Sequence, residues 1–249
     1  MEIIRFTFWE SVGGLALVLM ALLSAKAVAS LPPQWSRAKP LLYVVILSLA
    51  VVGSWNVGND VAAEVYMWSC DSSLRHGDVA KGYSNALRAV TLRPANGRYW
   101  RALINSKIRL QQIESALDDE PALRALSGDK LDEVDNYEFA LCHFFTGQYD
   151  PVIATTTHLI QQNRSYAAPY VLQGLAYTAE KKYPEAEQSF LQVLDMFPSN
   201  QAAVEGLARA YFLSGDRRGA LGVLDTTAKF PFPVEIRERF EALKGLYGQ

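Results

Sequence analysis

The chain has 249 residues, a formal net charge of −2, and 50% hydrophobic and 20% charged side chains. The nearly neutral balance gives no basic surface for nucleic acid, and two cysteines are too few for a disulfide-based fold. The length fits one large domain or two small ones.

Two long apolar runs occupy residues 1–60. The first extends over about residues 4–31. The second extends over about residues 40–59 and contains no charged residue. Each reaches the length of about 20 residues that crosses a bilayer as a helix, and Tyr43 and Trp55 suit the membrane interface. The sequence therefore predicts two transmembrane helices joined by a short basic loop. A cleaved signal peptide, or a buried helical hairpin of a soluble fold, is the alternative interpretation.

Basic residues around the predicted loop give its expected orientation. Lys26, Arg37 and Lys39 lie in or beside the loop, whereas the chain after the second run has no basic residue before Arg75. The positive-inside rule then places the loop in the cytoplasm and residues 61–249 outside. The two unpaired cysteines argue weakly for the opposite orientation, because free thiols are commoner in reducing compartments.

Residues 167–200 contain the clearest motif in the chain. Tyr170, Gly174 and Tyr177 share one face of a predicted helix, and Ala186 and Phe190 share a face of the next. Pro198 then ends the second helix, because proline has no N–H to donate. This pattern resembles the tetratricopeptide repeat (TPR), a helical hairpin of about 34 residues. One departure is Gln173, where that family usually has leucine.

The resemblance extends along the chain in register. We predict an all-α fold in which residues 61–249 form an α-solenoid of stacked helical hairpins, since one hairpin cannot bury its apolar face alone. The first helix of the first repeat adjoins the second apolar run, so one helix could hold both. The predicted repeats are 63–96, 97–132, 133–166, 167–200 and 201–234, followed by an amphipathic capping helix at 235–248.

No catalytic, cofactor or metal site is expected from the sequence. The chain lacks a glycine-rich phosphate loop, a nucleophile elbow and an HExxH motif. His143 occupies a packing position, which predicts a core histidine, and Asp118-Asp119-Glu120 reads as a solvated helix segment. We therefore predict a protein that is not an enzyme and has no small-molecule substrate.

The resemblance implies a partner-binding groove lined by the first helix of each repeat. Arg101 and Asn105, four residues apart, look like part of the clamp that some TPR domains use for a carboxyl terminus, although the following repeats lack the matching residues. The predicted groove residues are Arg98, Arg101, Asn105, Tyr137, Leu141, Phe144, Val171, Leu175, Glu205, Arg209 and Phe212.

The sequence thus predicts a membrane-anchored scaffold or adaptor that recruits protein partners, an assembly factor or accessory component. Its architecture is similar to membrane-tethered TPR proteins of exopolysaccharide export, pilus assembly and respiratory or photosynthetic complexes. The alternative is a structural subunit of a larger membrane complex, packed through the small residues Gly13, Gly14 and Ala16. We expect a bacterial inner-membrane location with the repeats in the periplasm, the cytoplasmic side being the other option. The expected partners are proteins and the lipid bilayer, not nucleic acid.

Overall fold

The described residues are almost entirely helical. The computed structural model describes Ser24 and residues 26–32, 38–127 and 131–248, and no strand occurs among them. Twelve α-helices follow residues 26–29, which are also helical. They are α1 Lys39–Arg75, α2 Val79–Leu92, α3 Gly97–Arg109, α4 Ile113–Asp118, α5 Glu120–Ser127, α6 Glu133–Phe145, α7 Tyr149–Gln162, α8 Ala167–Ala179, α9 Tyr183–Met196, α10 Gln201–Ser214, α11 Arg217–Thr226 and α12 Val234–Tyr247.

The chain divides into two compact units, Met1–Gln112 and Ile113–Gln249. We call them unit 1 and unit 2 and describe each by itself. The sequence interpretation placed a boundary at residue 60, which falls inside the continuous helix α1.

Helix α1 joins the second apolar run to the first predicted repeat. It contains 37 residues and is therefore about 55 Å long. Of the described helices, this one alone has the length and apolar composition to cross a membrane. The second predicted span falls within it, whereas the first predicted span lies mostly outside the described residues. The predicted two-helix hairpin is thus not supported as a whole; a single candidate helix is observed.

In unit 1, the second half of α1 packs against α2 and α3. Ala63, Met67 and Cys70 of α1 are buried against Ala86 of α2 and Tyr99 of α3. These small and flexible side chains let the helices approach closely, as in a helical hairpin stacked on its neighbour.

Unit 2 repeats one arrangement of antiparallel helices. Helices α6, α8 and α10 form one layer, which we call the first-helix layer, and each is followed by its partner α7, α9 or α11. Within the first-helix layer, α6 contacts α8 and α8 contacts α10. Phe190, Val193 and Leu207 are buried between successive hairpins. The predicted TPR-like stacking of helical hairpins is confirmed.

One residue of left-handed backbone turns the chain inside each hairpin. Three of these turns use glycine, at Gly77, Gly147 and Gly215, and the other two use Gln111 (φ 59°) and Lys181 (φ 62°). Only glycine adopts this conformation without steric cost, so Gln111 and Lys181 carry a backbone strain that the three glycine turns avoid. The recurrence of this turn at intervals of about 34 residues shows the repeat in the backbone itself.

The predicted second helix of repeat 97–132 is wrong as a single helix. The structure has two short helices there, α4 and α5, which meet at Asp119. Pro121 explains the break, because a proline cannot donate the backbone hydrogen bond and clashes with the preceding turn. The spacing of Ala116 and Leu123 predicted one continuous helix, which Pro121 interrupts.

Tyr211 joins α10 to α9 through a hydrogen bond that stabilises unit 2 and is lost at alkaline pH. Its hydroxyl donates to Glu187 Oε1 at 2.5 Å. Burial, the hydrogen bond and the charge of Glu187 raise the pKa of Tyr211 from 10.0 to about 12. The folded state therefore holds this proton more tightly than the unfolded state does. This stabilisation is complete below pH 10 and is lost as the pH rises towards 12.

We expect Tyr211→Phe to lower the free energy of unfolding at pH 7 by about 1.5–3 kcal/mol, the contribution of a hydrogen bond to a charged group. The difference between the two proteins should shrink between pH 10 and 12. Urea titrations of the full chain in detergent, followed by circular dichroism, measure both effects. A difference that stays constant up to pH 12 would refute the assignment.

Candidate partner-binding surface

The predicted groove residues of unit 1 lie on α3, and the first of them is already engaged within the chain. Arg98 Nη1 contacts Glu64 Oε2 at 3.1 Å, and Arg98 Nη2 lies 3.8 Å from Asp71 Oδ2. Both acidic residues belong to α1, so Arg98 fastens α3 to α1. Arg101 is exposed and Asn105 is half-buried on the same helix. The two side chains lie one turn apart on one side of α3, as their spacing of four residues requires.

The first-helix layer of unit 2 presents apolar side chains. Tyr137, Leu141 and Phe144 of α6 are half-buried, and so are Val171 and Leu175 of α8. They pack partly against the cores beneath them and partly face outward. An apolar, half-open surface of this kind favours a partner that also buries apolar side chains.

Two further apolar residues of α6 were not in the predicted groove. Val134 is 61% exposed and Phe145 is 71% exposed. Helical geometry places them on the same face of α6 as Tyr137 and Leu141. A helical wheel of residues 133–145 places both beside Leu141, so the helical period alone is enough to identify them. Large exposed apolar side chains gathered on one face are typical of an interaction surface.

At α10, the predicted groove residues contact the end of the chain instead. Glu205 Oε2 forms an ion pair with Arg239 Nη2 of α12 at 2.8 Å. The ring of Phe212 stacks on that of Tyr247, with centroids 4.4 Å apart. Arg209 remains exposed. Helix α12 thus covers this end of the first-helix layer, and α6 and α8 carry its open part.

A polar network links α5 to α6 and corrects one prediction. Glu120 contacts Arg124 Nη2 at 2.6 Å and His143 Nε2 at 3.2 Å. The other ring nitrogen of His143 lies 3.0 Å from Gln148 Oε1. The His143 side chain is thus partly buried among polar partners, and the Glu120 side chain, 13% exposed, is not solvated as the sequence predicted. The contact between Glu120 and His143 offsets the free-energy cost of partly burying these two polar side chains.

Among the described residues, no group of three or more His, Cys, Asp or Glu side chains is placed to hold a metal ion. Both cysteines are buried free thiols. Burial raises the pKa of the Cys142 thiol from 9.0 to about 11, so it is protonated and unreactive at neutral pH.

Residues 177–230 match the family model described as tetratricopeptide repeat. This segment covers the last three residues of α8, helices α9 to α11 and the turn that follows α11. Residues 177–230 therefore carry the sequence pattern of tetratricopeptide repeats. No curated protein sequence matches it.

Solved TPR structures share the fold with low sequence identity. MamA from Desulfovibrio magneticus is 14% identical with a TM-score of 0.63, covering 68% of this chain and 94% of its own. A TPR protein from Parabacteroides merdae is 18% identical with a TM-score of 0.62, covering 74% of each chain. YrrB, described as a TPR protein with an unusual peptide-binding site, is 13% identical with a TM-score of 0.59, covering 71% of this chain and 90% of its own.

These similarities establish a TPR-like all-α fold for the region they cover. TPR folds typically act as non-enzymatic scaffolds for protein interaction, through the extended surfaces that stacked hairpins create. The first-helix layer of unit 2 is an extended, half-open apolar surface formed by stacked hairpins.

Proposed function

We propose that the protein is a membrane-anchored TPR adaptor that binds a protein partner on the open part of the first-helix layer of unit 2. The observation that carries the proposal is the exposed apolar surface of α6, with Val134 and Phe145 at its two ends. Such side chains stay solvated at a cost in free energy unless a partner covers them. A partner helix or segment with its own apolar face supplies that cover.

Helix α1 supports the membrane part of the proposal. Leu41, Leu47 and Trp55 are each about 70% exposed, and the apolar stretch around them is not buried against the described chain. A single continuous helix then leads from this stretch into the packed core of unit 1. A bilayer would bury the apolar half and leave the packed half outside, because Asp60 and Glu64 mark the start of the polar part.

Anchoring makes modest contacts sufficient for recruitment. Confinement to a membrane raises the effective concentration of a membrane-bound partner and so strengthens a weak interaction without new contacts. We propose the orientation that the basic residues favour, with Lys39 on the cytoplasmic side and the repeats in the periplasm.

Partner capture from membranes tests the binding surface. The full chain is affinity-purified in mild detergent, and the co-purifying proteins are quantified for the wild type and for Val134→Asp with Phe145→Asp. We expect the variant to lose at least about 90% of a specific partner, since each exposed apolar anchor contributes 1–3 kcal/mol on burial. Both positions are exposed, so the fold should persist.

The matched control is Leu191→Asp, which alters an exposed leucine of α9 outside the first-helix layer. It should retain the partner at the wild-type level. Equal losses in both variants, or no loss in either, would refute the proposed surface.

A further inference from the structure

Unit 2 contains a cleft of mixed polar and apolar lining between α7, α8 and α9, away from the face that carries Val134 and Phe145. Its volume is about 320 Å³, and Gln173 and Tyr177 of α8 line it together with residues of the two neighbouring helices. This volume lies at the lower end of the range of ligand cavities, about 300–1,000 Å³.

The cleft arises where one repeat departs from the others. At the position of Gln173, the neighbouring repeats have Leu103, Phe139 and Leu207, each 2% exposed. Those apolar side chains fill the space between the helices. Gln173 instead is half-buried and turns to one side, where its Nε2 donates to Thr157 Oγ1 at 2.8 Å. Gln173 thus leaves the space between the helices unfilled and places a polar amide at the base of the cleft.

Tyr177 shows a second departure. The corresponding residue of the next repeat is Tyr211, whose hydroxyl donates to Glu187. One repeat earlier, Ile153 stands where Glu187 does, and an isoleucine offers no acceptor. Within the part of the chain that the structure describes, the Tyr177 hydroxyl has no hydrogen-bond partner.

Further unpaired polar groups line the walls. Gln161 of α7 and Gln188 and Gln192 of α9 border the cleft, and their side-chain amides make no hydrogen bond to any other described residue. The hydroxyl of Tyr170 is likewise without a described partner. The three glutamines are exposed to solvent, whereas Tyr170 and Tyr177 are half-buried, so several donors and acceptors border one space and are accessible to a ligand.

We propose that this cleft is a second binding site, which takes a short, extended and uncharged peptide segment. The site goes beyond the first-helix layer and rests only on the protein-binding part of the proposed function, not on the membrane anchor. Each glutamine amide offers one acceptor and a donor pair, which match the C=O and N–H groups of an extended main chain. A helical segment cannot use them, because its own backbone groups are already paired.

The composition of the cleft also disfavours a charged ligand. Of its lining residues only Glu185 has an acidic or basic side chain, and this side chain is exposed at the rim. The cleft has no basic side chain to bind an anion. For a cation it offers one solvent-exposed carboxylate, and an exposed ion pair contributes little binding free energy. Neutral polar side chains such as those of serine, asparagine and glutamine fit the lining.

Saturation-transfer NMR tests the site with a defined probe. The full chain in detergent micelles is mixed with a pool of capped tripeptides composed of Ser, Asn and Gln. We expect saturation transfer from the wild type and a loss of affinity of about tenfold or more for Gln173→Leu, which removes hydrogen-bonding groups and fills the slot.

Gln173→Leu separates binding from folding, because it restores the apolar residue of the other repeats. Its thermal midpoint should equal or exceed that of the wild type. Gln162→Leu is the matched control, since this exposed glutamine of α7 lies outside the cleft, and it should bind like the wild type.

Three results would overturn the proposal: no transfer to the tripeptides from the wild type, equal transfer from Gln173→Leu, or transfer to maltose in place of the peptides. The double variant of Val134 and Phe145 should still bind the tripeptides. Its behaviour keeps a failure of this cleft distinct from a failure of the first-helix layer.

Discussion

Phe190→Ala should destabilise unit 2 by about 3–5 kcal/mol, the range for a large aromatic residue removed from a packed core. Phe190 is fully buried between successive hairpins. Its ring lies against the backbone of two glycines. A Cβ added at Gly174 would lie 2.7 Å from the ring, and one added at Gly206 would lie 2.4 Å from it. The three residues therefore form one close contact between α8, α9 and α10.

The glycine contact predicts a coupling between substitutions. Gly206→Ala alone should cost about 1–3 kcal/mol, because the added methyl group overpacks the core. In the Phe190→Ala background the same methyl group enters the vacated space, so the double variant should cost less than the sum of the two single ones.

Hydrogen exchange of the full chain in detergent, read by mass spectrometry, reports the opening free energy of α8, α9 and α10 separately from unit 1. Gly222→Ala is the control, since nothing lies within 4 Å of a Cβ at that position of α11. It should be neutral or slightly stabilising. Additive costs for Phe190 and Gly206 would contradict the contact described here.

The second large effect is expected from charges placed in α1. Leu47→Arg together with Val51→Arg puts two cations on the exposed apolar part of the helix. In the centre of a bilayer each costs about 2.5–3.5 kcal/mol or more. If this part of α1 crosses the membrane, the pair should displace it towards water.

A cysteine at Leu49, which is 66% exposed, reports the displacement. In membrane vesicles we expect it to be protected from a water-soluble maleimide, and to become reactive when Leu47 and Val51 are both arginine. The native thiols of Cys70 and Cys142 are buried and should react slowly.

Val65→Arg with Trp68→Arg is the matched control, because these exposed residues lie on the polar half of the same helix. It should leave the cysteine at position 49 protected. A cysteine at position 49 that reacts freely in the otherwise unchanged chain would exclude the membrane-spanning role of α1.

The sequence alone was informative wherever a pattern is local. The period of about 34 residues, the apolar faces and the turn glycines such as Gly147 and Gly215 predicted stacked helical hairpins, and the hairpins are present. The charge-free run at residues 40–59 predicted a transmembrane helix in the same way, and the helix α1 that contains it has the length and apolar composition of such a span. These features depend on neighbours in the chain, which the sequence lists directly.

Tertiary structure decided which side chains meet across helices. Glu120 and His143 belong to different helices, so no periodicity could reveal that they pair. Glu205 and Phe212 occupy groove positions by sequence, yet α12 folds back on them. The sequence marked Gln173 as unusual, but only the packing of α7, α8 and α9 shows that it opens a cleft. Helical periodicity fixes the face on which a residue lies, whereas the fold fixes what lies opposite that face.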